Sequence, residues 1–376
     1  PRSTLFPYTT LFRSKMKKLE QFKDDIYTCV RTRCGFCTQE CPTYRDGLIE
    51  SFASRGKMMQ AKGLLEGEIK LSQELAESVF FCAMCGWCEA KCALHNVDIF
   101  KALRETLVEA GFTMPGNDLV AKNILEKGDP LGSGRQTKLE GEVTLYLGCS
   151  YRDRPTDTER IVKVLTKLGI KPRIVEETCC ANALYNTGYA KEFEKAKENF
   201  MKVYGPYIND TIITVCPSCT LTLREYYKLP KVVHASELIR ELLPNIQIKK
   251  ANSKVTYHDP CHLGRGERMF DQPRDIIKAL GHELVEMRLN REFSQCCGGG
   301  GGLQATATDT VKETAKRRIR EAMDTGADYI TTICPTCEST LFRAALACSR
   351  EEKEKGTGRK IKSKDIWQLL EEALEV

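Results

Sequence analysis

The chain has 376 residues, 41% apolar and 29% charged, enough for two or three domains with a buried core. Its net charge is +6, half of it from Arg2, Arg13 and Lys15, and no basic stripe with interleaved aromatics appears, so no nucleic-acid partner is expected. No run approaches 18 consecutive apolar residues, which excludes a membrane-spanning helix, and 19 cysteines are too many for an ordinary reducing-compartment enzyme yet too sparse for a disulfide scaffold.

Residues 1–15 (PRSTLFPYTTLFRSK) lack clean periodicity and show no apolar run before a small-residue cleavage site. They read as an adapter-like, non-native leader rather than a secretion signal. From 16 to 127 the period is helical, as in 99–108, where Ile99, Leu103 and Leu107 share a face. Residues 128–142 are rich in Gly and polar residues and read as a linker. Beyond them, β-branched runs at 143–147, 173–175, 211–215, 254–257, 283–287 and 329–333 alternate with helical patterns near 155–168, 188–203, 273–280 and 309–324. That alternation predicts parallel α/β sheets. The region is also duplicated. Cys149, Cys179-Cys180 and Cys216-x2-Cys219 recur as Cys261, Cys296-Cys297 and Cys334-x2-Cys337, at offsets of 112, 117 and 118 residues. The copies are placed at 143–250 and 251–376, each closing with an amphipathic helix that starts near His234 or Asp365. The charged run 351–364 reads as a solvated loop.

The strongest local signal is Cys82-x2-Cys85-x2-Cys88-x3-Cys92, a spacing that lets three thiolates close on one face of a cubane [4Fe–4S] cluster. A partner run holds Cys29, Cys34, Cys37 and Cys41. In two-cluster ferredoxins the fourth cysteine of each run serves the other cluster. One cubane is therefore expected on Cys29, Cys34, Cys37 and Cys92, and a second on Cys82, Cys85, Cys88 and Cys41. Zinc fits poorly, because 44 residues separate Cys37 from Cys82 where a zinc ribbon wants about 15–20. In the duplicated region every cysteine group follows a predicted strand, so Cys149, Cys179, Cys180, Cys216 and Cys219 converge at one sheet edge. Cys261, Cys296, Cys297, Cys334 and Cys337 do the same in the second copy. Five soft thiolates select an iron–sulfur cluster or zinc, and zinc stays open for one of the two modules. Cys348 is left over and reads as a buried core thiol.

These residues resemble a known family, that of the CCG-domain iron–sulfur oxidoreductases, and within it the D-type catalytic iron–sulfur subunit of heterodisulfide reductase. The match rests on Cys34-Gly35-Phe36-Cys37, Cys41-Pro42-Thr43-Tyr44, Arg55-Gly56-Lys57, the stretch Tyr257 to Arg265, Cys296-Cys297-Gly298 and Cys334-Pro335. It implies a multidomain protein: a mainly helical, ferredoxin-like domain with two cubane [4Fe–4S] clusters, then two α/β cysteine-rich (CCG) modules. Each module would hold a noncubane [4Fe–4S] cluster, with a disulfide cleaved between them. Ala181 stands where the family has Gly, which leaves the cluster type of the first module open. The expected activity is electron relay ending in disulfide reduction. The alternative is a pure relay serving a flavin-dependent glycolate, lactate or glycerol-3-phosphate dehydrogenase. No G-x-G-x-x-G fingerprint joins a strand to a helix, so the two-electron donor is expected on a flavin-containing or membrane cytochrome partner subunit. The protein is expected in the cytoplasm, or held at the inner membrane face through that partner.

Three further residues enter as catalytic candidates. His262 stands ready to protonate a leaving thiolate, or else simply bonds local backbone. Arg152 and Arg265, with Arg154 and Arg268 beside them, are expected to face an anionic thiol or disulfide, or else to pair with Asp153 and Glu267. Gly298–Gly302 is expected to allow close backbone approach rather than to cradle phosphate. Trp87, inside a cysteine loop, is expected to shield a cubane from water.

Overall fold

The computed structural model describes residues 16–375, so the expected leader at 1–15 lies outside the described residues. Up to Lys127 the described chain is helical and contains no strand. Helices Lys23–Thr32, Ser54–Glu66, Gln73–Phe80 and Asn96–Glu109 bury one core that includes Ile26, Met58, Leu64, Val79, Leu103 and Leu107. Local chemistry sets their ends: Ser72 Oγ accepts from the Leu75 N–H at 3.2 Å, and Gly67 at φ 73° stops the helix before it. Apart from Cys29, which lies within helix Lys23–Thr32, the cysteines of the two runs occupy joints between these helices, where backbone N–H groups are free to point at sulfur.

The rest of the chain forms two parallel four-stranded sheets. Strands β1 (Val143–Tyr146), β2 (Pro172–Arg173), β3 (Ile212–Thr214) and β4 (Val232–His234) run in the order β2-β1-β3-β4. Strands β5 (Lys254–Tyr257), β6 (Glu283–Leu284), β7 (Tyr329–Thr332) and β8 (Lys362–Asp365) repeat it as β6-β5-β7-β8. One motif is used twice.

Two segments depart from expectation. Residues 351–364 are not a solvated loop throughout: they finish helix Pro335–Glu354 and enter β8, and Glu352 is buried. A strand reading Lys-Ser-Lys-Asp has no apolar alternation to betray it, and lysines suit its place at a sheet edge. The stretch 128–142 is more than a linker. Leu139 exchanges both backbone hydrogen bonds with Ile174 at 3.0 and 2.8 Å, and buried Asp129 accepts from the N–H groups of Leu131 and Ser133.

The two modules share a core, with Leu145, Ile161 and Ile213 of the first packed with Val255, Ile276 and Trp367 of the second. Helix Pro155–Lys167 packs on Ile366–Leu374, and Ala235–Leu242 on Asp271–Ala279. The first helix of each copy thus meets the last helix of the other, an approximate twofold relation that brings the cysteine-bearing ends of the sheets together. Ion pairs Arg160–Glu371 at 2.7 Å and Arg240–Asp275 at 2.8 Å rim this contact. Among the described residues no helix is long and apolar enough to cross a membrane.

Candidate metal centres

The structure brings the cysteines of the helical part together in two groups. The thiol of Cys29 has those of Cys37, Cys92 and Cys34 as neighbours, and that of Cys88 has those of Cys82, Cys85 and Cys41. Cys92 and Cys41 therefore each sit with the run they do not belong to. Burial first, and these like neighbours second, push the Cys29 thiol up to about 12. Converging thiolates need a cation to ionise together. The second group lines a cavity completed by Ala83, Met84, Trp87 and Phe100, and the Met84 N–H points at Cys82 Sγ at 3.4 Å. Soft donors, an enclosing cavity and an N–H aimed at sulfur fit a [4Fe–4S] cluster.

Each module gathers its five cysteines at the carboxyl ends of its strands. In the first, Cys149 meets Cys179, Cys180 meets Cys219, and Cys219 meets Cys216. In the second, Cys296 meets Cys297, Cys297 meets Cys337, Cys337 meets Cys334, and Cys261 lies beside Cys297 and Cys334. All 19 cysteines are unbridged. Backbone N–H groups of Ala181, Gly298 and Gly299 reach Cys179, Cys296 and Cys297 Sγ at 3.4, 3.2 and 3.5 Å. Ala181 holds the same left-handed turn, φ 60°, that Gly298 holds at 86°. The loop shape survives the substitution at the cost of local backbone strain.

The modules differ at a further site residue. His258 lies with Cys297 and Cys337, their ligand atoms within 4.8 Å of one another, whereas Tyr146 stands at the corresponding place beside Cys180 and Cys219. Buried Arg318 donates from Nε to His258 Nδ1 at 3.1 Å. With Nδ1 an acceptor, the proton sits on Nε2, which makes His258 a donor toward Cys297 sulfur rather than a ligand. Tyr146 gives its hydroxyl to Thr178 O at 2.7 Å instead.

The helical part docks directly on the second module. Cys85 of the cubane loop meets Cys296. Gly301 passes so close that a Cβ there would lie 2.3 Å from Cys82 O, so only glycine fits. The glycine run thus serves close backbone approach, as its position beside Cys296-Cys297 predicts. Trp87 is buried and meets Phe293 edge-on at 6.1 Å, closing the joint. Cys348 is buried in helix Pro335–Glu354 among Ala344, Ala345 and Leu341, a core thiol.

The arginine expectations are corrected by burial. Arg152 is 1% exposed and donates to Glu177 O at 2.5 Å and Gly128 O at 3.2 Å, so it ties the module together and faces no cleft. Arg265 donates to Cys85 O at 2.7 Å, Glu292 O at 3.0 Å and Ser294 O at 2.9 Å, clamping the cubane loop to the second module. Neither pairs with the acid beside it. Glu267 takes Arg224 at 2.8 Å, and Arg154 reaches across the modules to Glu338 at 2.6 Å. Sequence spacing cannot show this, because a guanidinium five atoms from its backbone finds acceptors far along the chain. His262 Nδ1 shares a hydrogen bond with Ser218 Oγ of the first module at 2.7 Å. Burial, helped by Arg265, pulls it down to about 4, so the ring is neutral at pH 7 rather than titrating there. Two buried cations lie near the second cysteine group: Lys57, part of the Arg55-Gly56-Lys57 run but given no role from the sequence, and Arg104, which carried no sequence signal beyond its place in a helical run.

Comparison with known proteins agrees with this architecture. The family model described as "Cysteine-rich domain" (CCG) matches residues 143–224 and again 255–342, and "4Fe-4S dicluster domain" matches 19–96. The D subunit of the dihydromethanophenazine:CoB–CoM heterodisulfide reductase of Methanosarcina mazei is 30% identical over 360 residues, spanning 83% of this chain and 87% of that protein. Its counterpart in Methanosarcina barkeri is 27% identical over 399 residues, 93% and 94% of the two chains. The EtfAB:quinone oxidoreductase of Syntrophomonas wolfei is 27% identical over 406 residues, 88% of this chain but 57% of that one. A solved structure of a hypothetical protein from Helicobacter pylori superposes with a TM-score of 0.59 at 13% identity, covering 98% of this chain and 75% of the other, a likeness of fold.

Proposed function

The chain belongs to the family of heterodisulfide reductase D subunits, a 4Fe-4S dicluster domain followed by two cysteine-rich domains, and from that premise we propose that it carries electrons from a partner chain to a disulfide. As an iron–sulfur oxidoreductase subunit it has relatives named as subunits of heterodisulfide reductase and of fumarate reductase (CoM/CoB). When bound, [4Fe–4S] clusters supply one-electron transfer, and in the paired modules they supply iron sites for the two sulfurs of a cleaved S–S bond.

The observation that carries this reading is the meeting of the two five-cysteine ends. The turn after Cys149 packs on the turn after Cys334 through Arg154–Glu338, and the turn after Cys216 packs on the turn after Cys261 through Ser218–His262. Reduction of RSSR′ consumes two electrons and two protons and yields RSH and R′SH. Two one-electron centres facing each other suit that stoichiometry, where a relay needs only one terminal centre. The contact of Cys85 with Cys296 supports an order in which the second module is first in line from the cubanes. Trp87 and Phe293 keep water from the joint, and Arg265 holds it shut. Arg152 and Arg265, both committed to backbone carbonyls, give no support to an anionic substrate, and the disulfide is left without a charge requirement.

Iron, zinc and acid-labile sulfide in anaerobically purified protein test the reading, together with thiol release from a disulfide panel under dithionite. About 16 iron atoms per chain, four clusters of four, and two thiols per two electrons are expected. About eight iron atoms with zinc, or oxidation of reduced protein by quinones but by no disulfide, would replace it with the relay.

A further inference from the structure

Lys57 and Arg104 are both fully buried, and among the described residues neither has a carboxylate partner. Lys57 Nζ donates to Phe52 O at 2.7 Å and to Ser51 O and Phe81 O at 3.3 Å. Burial pulls the Lys57 amine down, but three acceptors match the three N–H bonds that an ammonium has and a neutral amine lacks, and so favour the charged form. Arg104 gives one terminal nitrogen to Asn186 O and Gly301 O at 2.7 and 2.8 Å. The other takes Phe80 O and Cys82 O at 3.0 and 2.8 Å and, more weakly, Val79 O at 3.4 Å. Carbonyl dipoles satisfy the hydrogens but supply no counter-charge, and a buried cation without one carries a heavy desolvation cost.

The negative groups nearest these cations are the cysteines of one cubane site. Lys57 faces Cys82, Cys41 and Cys88, and Arg104 faces Cys82. Two other charges border that site and offset each other: Arg265 near Cys85 and Glu89 near Cys88. Four thiolates around an oxidised [4Fe–4S] core leave two net negative charges, which one electron raises to three. Two buried cations balance the oxidised state and soften the cost of the added electron. Among the described residues the site of Cys29 has no such buried pair: Cys34 is exposed to water and Arg55 is the cation near Cys29.

We propose that Lys57 and Arg104 are the built-in counter-charges of the cluster on Cys41, Cys82, Cys85 and Cys88, raising its potential so that this buried cluster accepts electrons from the one nearer solvent. The proposal rests on the reading that these cysteines hold a [4Fe–4S] cluster. Through an effective dielectric of roughly 20, unit charges within about 10 Å interact by more than the equivalent of a tenfold shift in an equilibrium.

The test is an anaerobic dithionite titration of the full chain followed by electron paramagnetic resonance, with iron and sulfide counted in each sample. The signal of the buried cluster is assigned by its loss in Cys88→Ser. In Lys57→Gln, with iron content kept, the ratio of reduced to oxidised buried cluster at the wild-type midpoint should fall at least tenfold, about 59 mV for one electron. The signal lost in Cys34→Ser should titrate unchanged, and Lys57→Arg should restore the wild-type ratio. Arg104→Gln, which keeps some hydrogen bonds and removes the charge, should shift the same cluster in the same direction. An unshifted Lys57→Gln with full iron overturns the proposal, as does a Lys57→Arg variant that shifts as far as Gln. Loss of the cluster from both neutral variants also overturns it, by showing that the cations hold the loops. Wild-type protein without two cubane signals would instead refute the cluster reading itself, and this proposal with it.

Discussion

Replacing Arg265 by Gln separates two ideas about what this guanidinium does. If it met an anionic substrate, the loss would fall on KM for charged disulfides alone. The structure instead gives it three backbone acceptors: Cys85 O in the cubane loop, and Glu292 O and Ser294 O in the second module. A hydrogen bond from a charged donor contributes about 1.5 kcal/mol at the low end of its range. The side chain is half-buried, and Gln retains one of the three at most, so about 3 kcal/mol is lost between the loop and the module. That is roughly a hundredfold in the ratio of docked to undocked loop at 1.4 kcal/mol per factor of ten. Hydrogen exchange of residues 82–88 should accelerate by about that factor where the loop opens independently. Turnover of charged and neutral disulfides should fall together, because the proposed route of electrons into the second module runs through the contact of Cys85 with Cys296. Unchanged exchange in the loop, with a KM increase confined to anionic disulfides, would refute the clamp.

Cys92→Ser should abolish the cluster signal that Cys34→Ser abolishes and spare the one lost in Cys85→Ser, read by paramagnetic resonance; a match to Cys85→Ser would show that Cys92 serves its own run. Arg274 lies 3% exposed in a two-pronged pair with Asp259 at 2.6 and 2.9 Å and also bonds Glu286, so Arg274→Met should cost about 3–5 kcal/mol by denaturant unfolding. Asp259→Asn in that background should recover part of it, since the stranded charge is then gone. Asp365 caps the last helix by accepting from Gln368 N–H at 2.8 Å, and burial raises its carboxyl to about 7. Its folded state therefore holds the proton more tightly than the unfolded chain, and stability should decline as pH rises from about 4 to 7. Asp365→Asn, which keeps the cap, should flatten that decline by roughly 2–4 kcal/mol in pH-dependent melts, about 1.4 kcal/mol for each tenfold difference in proton affinity between the two states; an unchanged slope would place the titration elsewhere.

Much of this protein was written in one dimension. Cysteine spacing is a local property, and the two expected groups of four, with Cys92 and Cys41 crossed, were drawn from it and from the fourth-cysteine rule of two-cluster ferredoxins alone. The duplicated order of cysteines and strands carried the two sheets as well, because buried parallel strands such as Leu145–Leu147 and Ile330–Ile333 must be apolar. What stayed hidden had no local pattern. Strands β4 and β8 lie at sheet edges, where burial on two faces is not demanded and Lys362-Ser363-Lys364 serves. The arginines were visible as charges, but their partners were 180 residues distant for Arg265 and 184 for Arg154. Lys57 stood in the Arg55-Gly56-Lys57 run and Arg104 in a helical one with nothing to mark either as buried, and only the packing of both modules against Asn96–Glu109 turns Arg104 inward onto Asn186 O and Gly301 O. A candidate ligand set is thus drawn from residue type and short spacing, which the chain determines alone. The charge around those ligands is set by which distant surfaces exclude water from them, and that only the assembled fold decides.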